Sequence, residues 1–114
     1  MQILAVIAAL IMVESSGNPK AVSGDQIGVL QIRPCMVKDV NRISGKHYTH
    51  KDAFSKEKSI EMCKIYFTFY GKVYKKRTGK EPSNEILARM WNSGPSINWK
   101  ATDNYWRKVQ KHLK

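Results

Sequence analysis

Acidic side chains are scarce in this chain. Nine Asp and Glu face twenty Lys and Arg, for a formal net charge of +11. That imbalance excludes a surface built for cationic partners and calls for a polyanion; nucleic acid, an anionic membrane and a cell envelope all qualify. Cysteine is almost absent as well. Cys35 and Cys63 are too few for a disulfide-stapled scaffold, and their spacing suits no metal site. They are compatible with one disulfide or with two free thiols. Both fall on apolar positions of predicted helices, which favours thiols. His47, His50 and His112 lie scattered among Lys, Tyr and Thr and read as solvated side chains, not ligands. No cofactor and no metal are implied.

Long apolar runs are missing too. The longest, Ile3 to Val13, holds eleven residues, well short of the ~20 that a membrane-spanning helix needs. It has the length of a signal-peptide core, but no Lys or Arg precedes it and no cleavage site follows. Any targeting segment is expected to lie outside this sequence or never to have been present. There are no internal repeats and no low-complexity segments, and the ordinary apolar content excludes disorder. A chain of 114 residues accommodates a single core. One domain over residues 1–114, acting as a monomer, is the expectation.

What is present is helical periodicity. Ile3 to Val13 carries no polar stripe at any spacing, so it reads as a helix buried on nearly all sides. Ala21 to Ile32 holds short apolar pairs between glycines, and Val29 to Ile32 is expected to be a strand of a small hairpin. Pro34 suits the first turn of a helix through Ile43, closed by Ser44-Gly45. The longest helix is expected from Asp52 to Thr78-Gly79. Ile60, Cys63, Phe67, Tyr70 and Tyr74 form one apolar stripe on it, and Met62, Ile65, Tyr66, Phe69 and Val73 a second on the opposite face. A helix patterned in this way packs on two sides and belongs at the centre of the domain. Ser83 is a good N-cap for a helix through Trp91, buried through Ile86, Leu87 and Met90. Thr102 is expected to cap a last helix to Leu113, with Tyr105, Trp106 and Val109 inward. The fold class is mainly α, with at most one small β-hairpin.

Chemistry concentrates where the first apolar run ends. Glu14 arrives at the carboxyl end of that helix, before Ser15-Ser16-Gly17-Asn18-Pro19, a cluster that cannot continue it. Apolar surroundings disfavour the charged form of a carboxyl, and so does the negative end of a helix dipole. A carboxylic acid kept protonated near neutral pH is what a general acid must be. Further on, Gln31 is an amide on a short apolar segment and must find hydrogen bonds.

Three blocks extend this pattern: Glu14-Ser15 with Asn18-Pro19, Ala21 and Ser23; Gly28-Val29-Leu30-Gln31-Ile32-Arg33-Pro34; and Ala88-Arg89-Met90-Trp91-Asn92-Ser93-Gly94-Pro95. In this order they resemble the E-S-x-x-N-P, G-x-L-Q-I-x-P and A-x-Y-N-x-G-P motifs of the soluble lytic transglycosylases and goose-type lysozymes. That resemblance implies a lysozyme-like fold and cleavage of the β-1,4 bond between N-acetylmuramic acid and N-acetylglucosamine in peptidoglycan. It implies Glu14 as acid and then base, with Ser23, Gln31, Arg33, Trp91, Asn92 and Tyr105 as substrate contacts. Trp91 stands where the family has Tyr, and Arg33 where many relatives have Met. The chain between Glu14 and Gln31 is slightly compressed relative to common members.

A two-carboxylate glycosidase sets its pair about 5–5.5 Å apart if retaining and about 6.5–9.5 Å if inverting. Here the acidic residues nearest to Glu14 in sequence are Asp25, a turn residue, and Asp39, expected in a surface pair. The absence of an evident second carboxylate suits a transglycosylase, whose substrate supplies its own nucleophile. A hydrolytic lysozyme of the same fold, with Asp25 as water base, is the alternative. A wall-binding domain without catalysis is another, and a basic nucleic-acid-binding module, resting on the Arg107, Lys108, Lys111 and Lys114 face, is a remote one. The expected partners are glycan strands and an anionic wall surface outside the cytoplasm. No specific nucleic acid is expected.

Overall fold

A computed structural model describes residues 3–113. The elements, in chain order, are α1 (Ile3–Ser15), β1 (Val22–Ser23), β2 (Gln26–Ile27), α2 (Pro34–Ser44), a 3₁₀ turn (His50–Phe54), α3 (Lys56–Thr78), α4 (Asn84–Ser93) and α5 (Asp103–Gln110). The protein is mainly helical, with one two-stranded antiparallel sheet. By its backbone contacts the chain divides into two compact units. One is Glu14–Tyr66; the other is the chain up to Val13 together with Phe67 onward. No helix among the described residues is long and apolar enough to cross a membrane.

In the unit of residues 14–66, Ile27, Val29, Leu30, Ile32, Val37, Val40, Ala53, Met62, Cys63 and Tyr66 are buried. β1 and β2 pair with Val22 opposite Ile27 and Ser23 opposite Gln26, joined through Gly24-Asp25. The strand expected over Val29 to Ile32 is instead a turn. Gln31 N–H donates to the Gly28 carbonyl, and Ile32 keeps a single bridge to Ile27. Gly28 and Gln31 both have positive φ, at 80° and 52°, which an extended strand does not permit. α2 begins at Pro34 as expected and closes on Gly45, whose N–H donates to the Asn41 carbonyl. The long helix does not start at Asp52. Thr49 and Asp52 form a reciprocal capping box that spends Asp52 on the 3₁₀ turn, and extended Ser55 separates that turn from α3.

In the other unit, Val6, Ile7, Leu10, Phe67, Ile86, Leu87, Met90, Trp91 and Val109 are buried. Burial of such side chains stabilises by about 1.5–3 kcal/mol each. α1 is not enclosed all round: Leu4, Ala5, Ala8 and Met12 are exposed along one line of the helix. Apolar composition cannot foretell this, because isolated apolar side chains tolerate water. On α3 the two expected stripes are not equal. Met62, Cys63, Tyr66, Phe67 and Gly71 are buried, whereas Phe69 and Val73 face solvent. Ser83 Oγ accepts from Ile86 N–H and caps α4 as expected. Thr102 precedes α5 but makes no side-chain cap: its Oγ1 accepts from Arg89 Nη1 while its hydroxyl donates to the Asn98 carbonyl. α5 ends at Gln110, three residues early, and continues as a turn.

Candidate active site

Glu14 lies in the last turn of α1, half buried. The residue after it ties that helix end to the second motif block: Ser15 Oγ donates to the Val29 carbonyl at 2.8 Å. Ser15 also organises the loop that follows. Its carbonyl accepts from Asn18 N–H at 3.1 Å, and Asn18 Oδ1 accepts from Lys20 N–H at 3.0 Å. The serine and asparagine of E-S-x-x-N-P therefore turn the chain immediately beyond the acid.

The Gly28–Ile32 loop is braced from several directions. Gln31 is buried, and its Nε2 donates to the Ala21 carbonyl at 3.2 Å and to the Gly28 carbonyl at 3.0 Å. Gly28 abuts the 3₁₀ turn so closely that a Cβ there would lie 1.8 Å from the Ala53 carbonyl oxygen. That oxygen accepts from Ser59 Oγ at 2.7 Å, inside the core. Glycine is required at Gly28 by contact and favoured there by dihedral. At the other end of the loop, His50 Nε2 donates to the Ile32 carbonyl at 2.8 Å. His50 is thus a half-buried, hydrogen-bonded brace and not a solvated residue; His47 and His112 are exposed.

Cys63 is free and fully buried, whereas Cys35 is free but exposed, contrary to the apolar position expected for it. Pro34 places Cys35 in the first turn of α2, on the side away from Val37 and Val40. Burial pushes the Cys63 thiol well above its ordinary range, and the Glu14 carboxylate raises it further. Cys63 is therefore a neutral thiol at neutral pH and no nucleophile. Ser23 and Asp25 are exposed on the hairpin, and Arg33 is exposed just before α2. Asp39 pairs with Arg42 at 2.6 Å on the surface.

The remaining candidates belong to the other unit. Trp91 is buried in α4 and packs edge-to-face on Phe67, with ring centroids 5.8 Å apart. Asn92 and Tyr105 are half buried. The structure thus gathers Glu14, Ser23, Gln31 and Arg33 in one unit, and Trp91, Asn92 and Tyr105 in the other.

Sequence reading missed Arg89. It is only 5% exposed and sits inside the third motif block. Its Nε donates to Glu85 at 3.0 Å, and its Nη1 donates to the Trp99 carbonyl at 2.7 Å and to Thr102 Oγ1 at 2.9 Å. Asp103 completes the set at 2.9 Å. The available signal was Arg89 falling three residues after Ile86 on an inward face, with Glu85 one turn earlier. Ser15 and His50 offered no such signal, since their partners are backbone carbonyls 14 and 18 residues away. Among the described residues no cluster of His, Cys, Asp and Glu is arranged to hold a metal ion.

Comparison with protein families matches the chain to the Transglycosylase SLT domain over residues 3–113. Comparison with curated proteins gives no match. Comparison with solved structures gives none either.

Proposed function

This chain belongs to the transglycosylase SLT domain family, and from that premise we propose that it is a lytic transglycosylase cleaving the MurNAc–GlcNAc β-1,4 bond of peptidoglycan. The observation that carries the reading is Glu14. It is a half-buried carboxyl at the negative end of an apolar helix, joined through Ser15 to the loop that holds Gln31.

In the proposed reaction the Glu14 carboxylic acid gives its proton to the glycosidic oxygen as the bond from C1 of N-acetylmuramic acid breaks. The Glu14 carboxylate then takes the proton of the sugar's own C6 hydroxyl, and that oxygen closes on C1. The product ends in 1,6-anhydro-N-acetylmuramic acid, and Glu14 is protonated again. No water is activated, so one carboxyl suffices. Because Gln31 Nε2 is engaged by two backbone carbonyls, its proposed sugar contact is made through the amide oxygen. Ser23 and exposed Arg33 are proposed to bind sugar and stem-peptide groups, and Trp91, Asn92 and Tyr105 are further substrate contacts carried over from the third block and the last helix. Residues 1–114 are read as one monomeric catalytic domain working outside the cytoplasm. The net charge of +11 holds it on an anionic wall, with salt weakening that attachment.

The test is mass spectrometry of digested peptidoglycan, with Glu14→Gln alongside. The expected products are one water lighter than hydrolytic ones, and Glu14→Gln lowers the rate by at least ~100-fold while the fold survives. Reducing-end products would overturn the transglycosylase step and make the protein a lysozyme, with Asp25 the first water base to replace. Unchanged wall binding with no cleavage by either protein would leave a binding domain.

A further inference from the structure

We propose that Trp99 is a carbohydrate-stacking platform, a glycan contact separate from the residues of the three motif blocks; the inference rests on peptidoglycan being the substrate. Trp99 lies in the connector between α4 and α5 and is 52% exposed, whereas Trp91 is 5% exposed. An indole in water forgoes a large apolar contact, and a mobile surface indole loses entropy whenever it binds.

Trp99 is not left mobile. The Arg89 guanidinium lies over its ring, 4.7 Å from the centroid, and donates to the Trp99 carbonyl at 2.7 Å. Arg89 is itself buried and anchored by Glu85, Thr102 and Asp103. The connector is pinned again where Asn98 N–H donates to Ser93 Oγ at 3.0 Å and Thr102 Oγ1 donates to the Asn98 carbonyl at 2.7 Å. Cation–π contact thus covers one face of the indole and fixes its plane. With that face taken, a ligand would meet the opposite face or the edge of this half-exposed residue.

A rigid, flat, half-covered aromatic matches the apolar C–H face of a pyranose ring. The chemistry beside it fits as well. Asp103 is bound to the same guanidinium, and its side chain is 55% exposed, so its carboxylate faces water where sugar hydroxyls would donate. The same carboxylate opposes the phosphates of nucleic acid and of anionic lipid. A glycan is the polymer that both groups accept, and N-acetylglucosamine-type rings are its chemical class.

The test measures binding of chitotetraose to the 114-residue protein and to Trp99→Ala and Trp99→Phe, with peptidoglycan turnover and vesicles of phosphatidylglycerol in parallel. The expected result is roughly tenfold weaker sugar binding for Trp99→Ala, the loss of one stacked ring. Trp99→Phe recovers most of it. The rate at saturating peptidoglycan stays unchanged in both, and the thermal midpoint of Trp99→Ala falls by only a few degrees, the loss of one cation–π contact. Wild-type sugar affinity in Trp99→Ala, with cleavage intact, overturns the platform alone. Loss of vesicle binding without loss of sugar binding overturns it in favour of a lipid contact. A wild-type protein that neither binds chitotetraose nor cleaves peptidoglycan overturns the substrate reading, and the platform with it.

Discussion

Gly28→Ala isolates the tightest backbone contact beside the candidate site. At φ 80° an L-residue incurs the left-handed cost of about 1–2 kcal/mol. The added Cβ would also lie 1.8 Å from the Ala53 carbonyl oxygen and 2.8 Å from its carbon. Neither partner yields cheaply, since both belong to backbone and Ala53 is fully buried. Relieving the overlap moves Ala53 away from Ser59 Oγ, now 2.7 Å from its carbonyl, and an unmade buried hydrogen bond costs about 1–3 kcal/mol. Together these give a loss of roughly 2–5 kcal/mol, or roughly 8–20 °C in Tm for a domain of this size. Gly45→Ala is the control: its φ is 73°, and nothing lies within 4 Å of the added Cβ. It is expected to show the dihedral cost only. Urea unfolding followed by circular dichroism compares the two. If Gly28→Ala and Gly45→Ala cost the same, the contact with Ala53 contributes nothing and the bracing of the loop by the 3₁₀ turn is wrong.

Two further outcomes follow from other parts of the molecule. Arg89→Met removes a buried cation and leaves the Trp99 carbonyl without its donor, so it is expected to cost roughly 2–4 kcal/mol, with the α4–α5 connector exchanging its amide hydrogens first; a loss below ~1 kcal/mol in urea unfolding contradicts the clamp. Desolvation, followed by the hydrogen bond to Glu61, pushes the Tyr48 phenol up to about 12 from 10.0. A raised folded-state pKa means that its contribution to stability is complete below pH 10 and is lost as pH rises toward 12. Ultraviolet titration compared with Tyr48→Phe should therefore find the Tyr48 phenol late, and Glu61→Gln shifts it part of the way back; a Tyr48 that titrates at the ordinary 10.0 refutes the pairing.

Local rules carried much of the architecture. Pro34 and Gly45 bounded α2, and Ser83 opened α4, because caps and dihedral limits act within a turn of the residue concerned. Errors arose where a side chain had a competing partner. Asp52 was spent on Thr49 and so did not begin the long helix, and Thr102 Oγ1 accepts from Arg89 instead of capping α5. Val29 to Ile32 has strand composition, yet the positive φ of Gly28 and Gln31 folds it into a turn.

Spacing and residue type were enough to determine that the chain is mainly helical, that it is strongly basic, and that Glu14 stands where an apolar helix stops. Each of these depends on neighbours in sequence. Tertiary structure alone decided that Gln31 Nε2 braces backbone, that His50 holds the Ile32 carbonyl, that Cys63 lies within the electrostatic reach of Glu14, and that Arg89 is buried beneath an exposed Trp99. Those contacts join residues ten or more positions apart, often through backbone carbonyls that every residue carries alike, so no pattern of side chains encodes them.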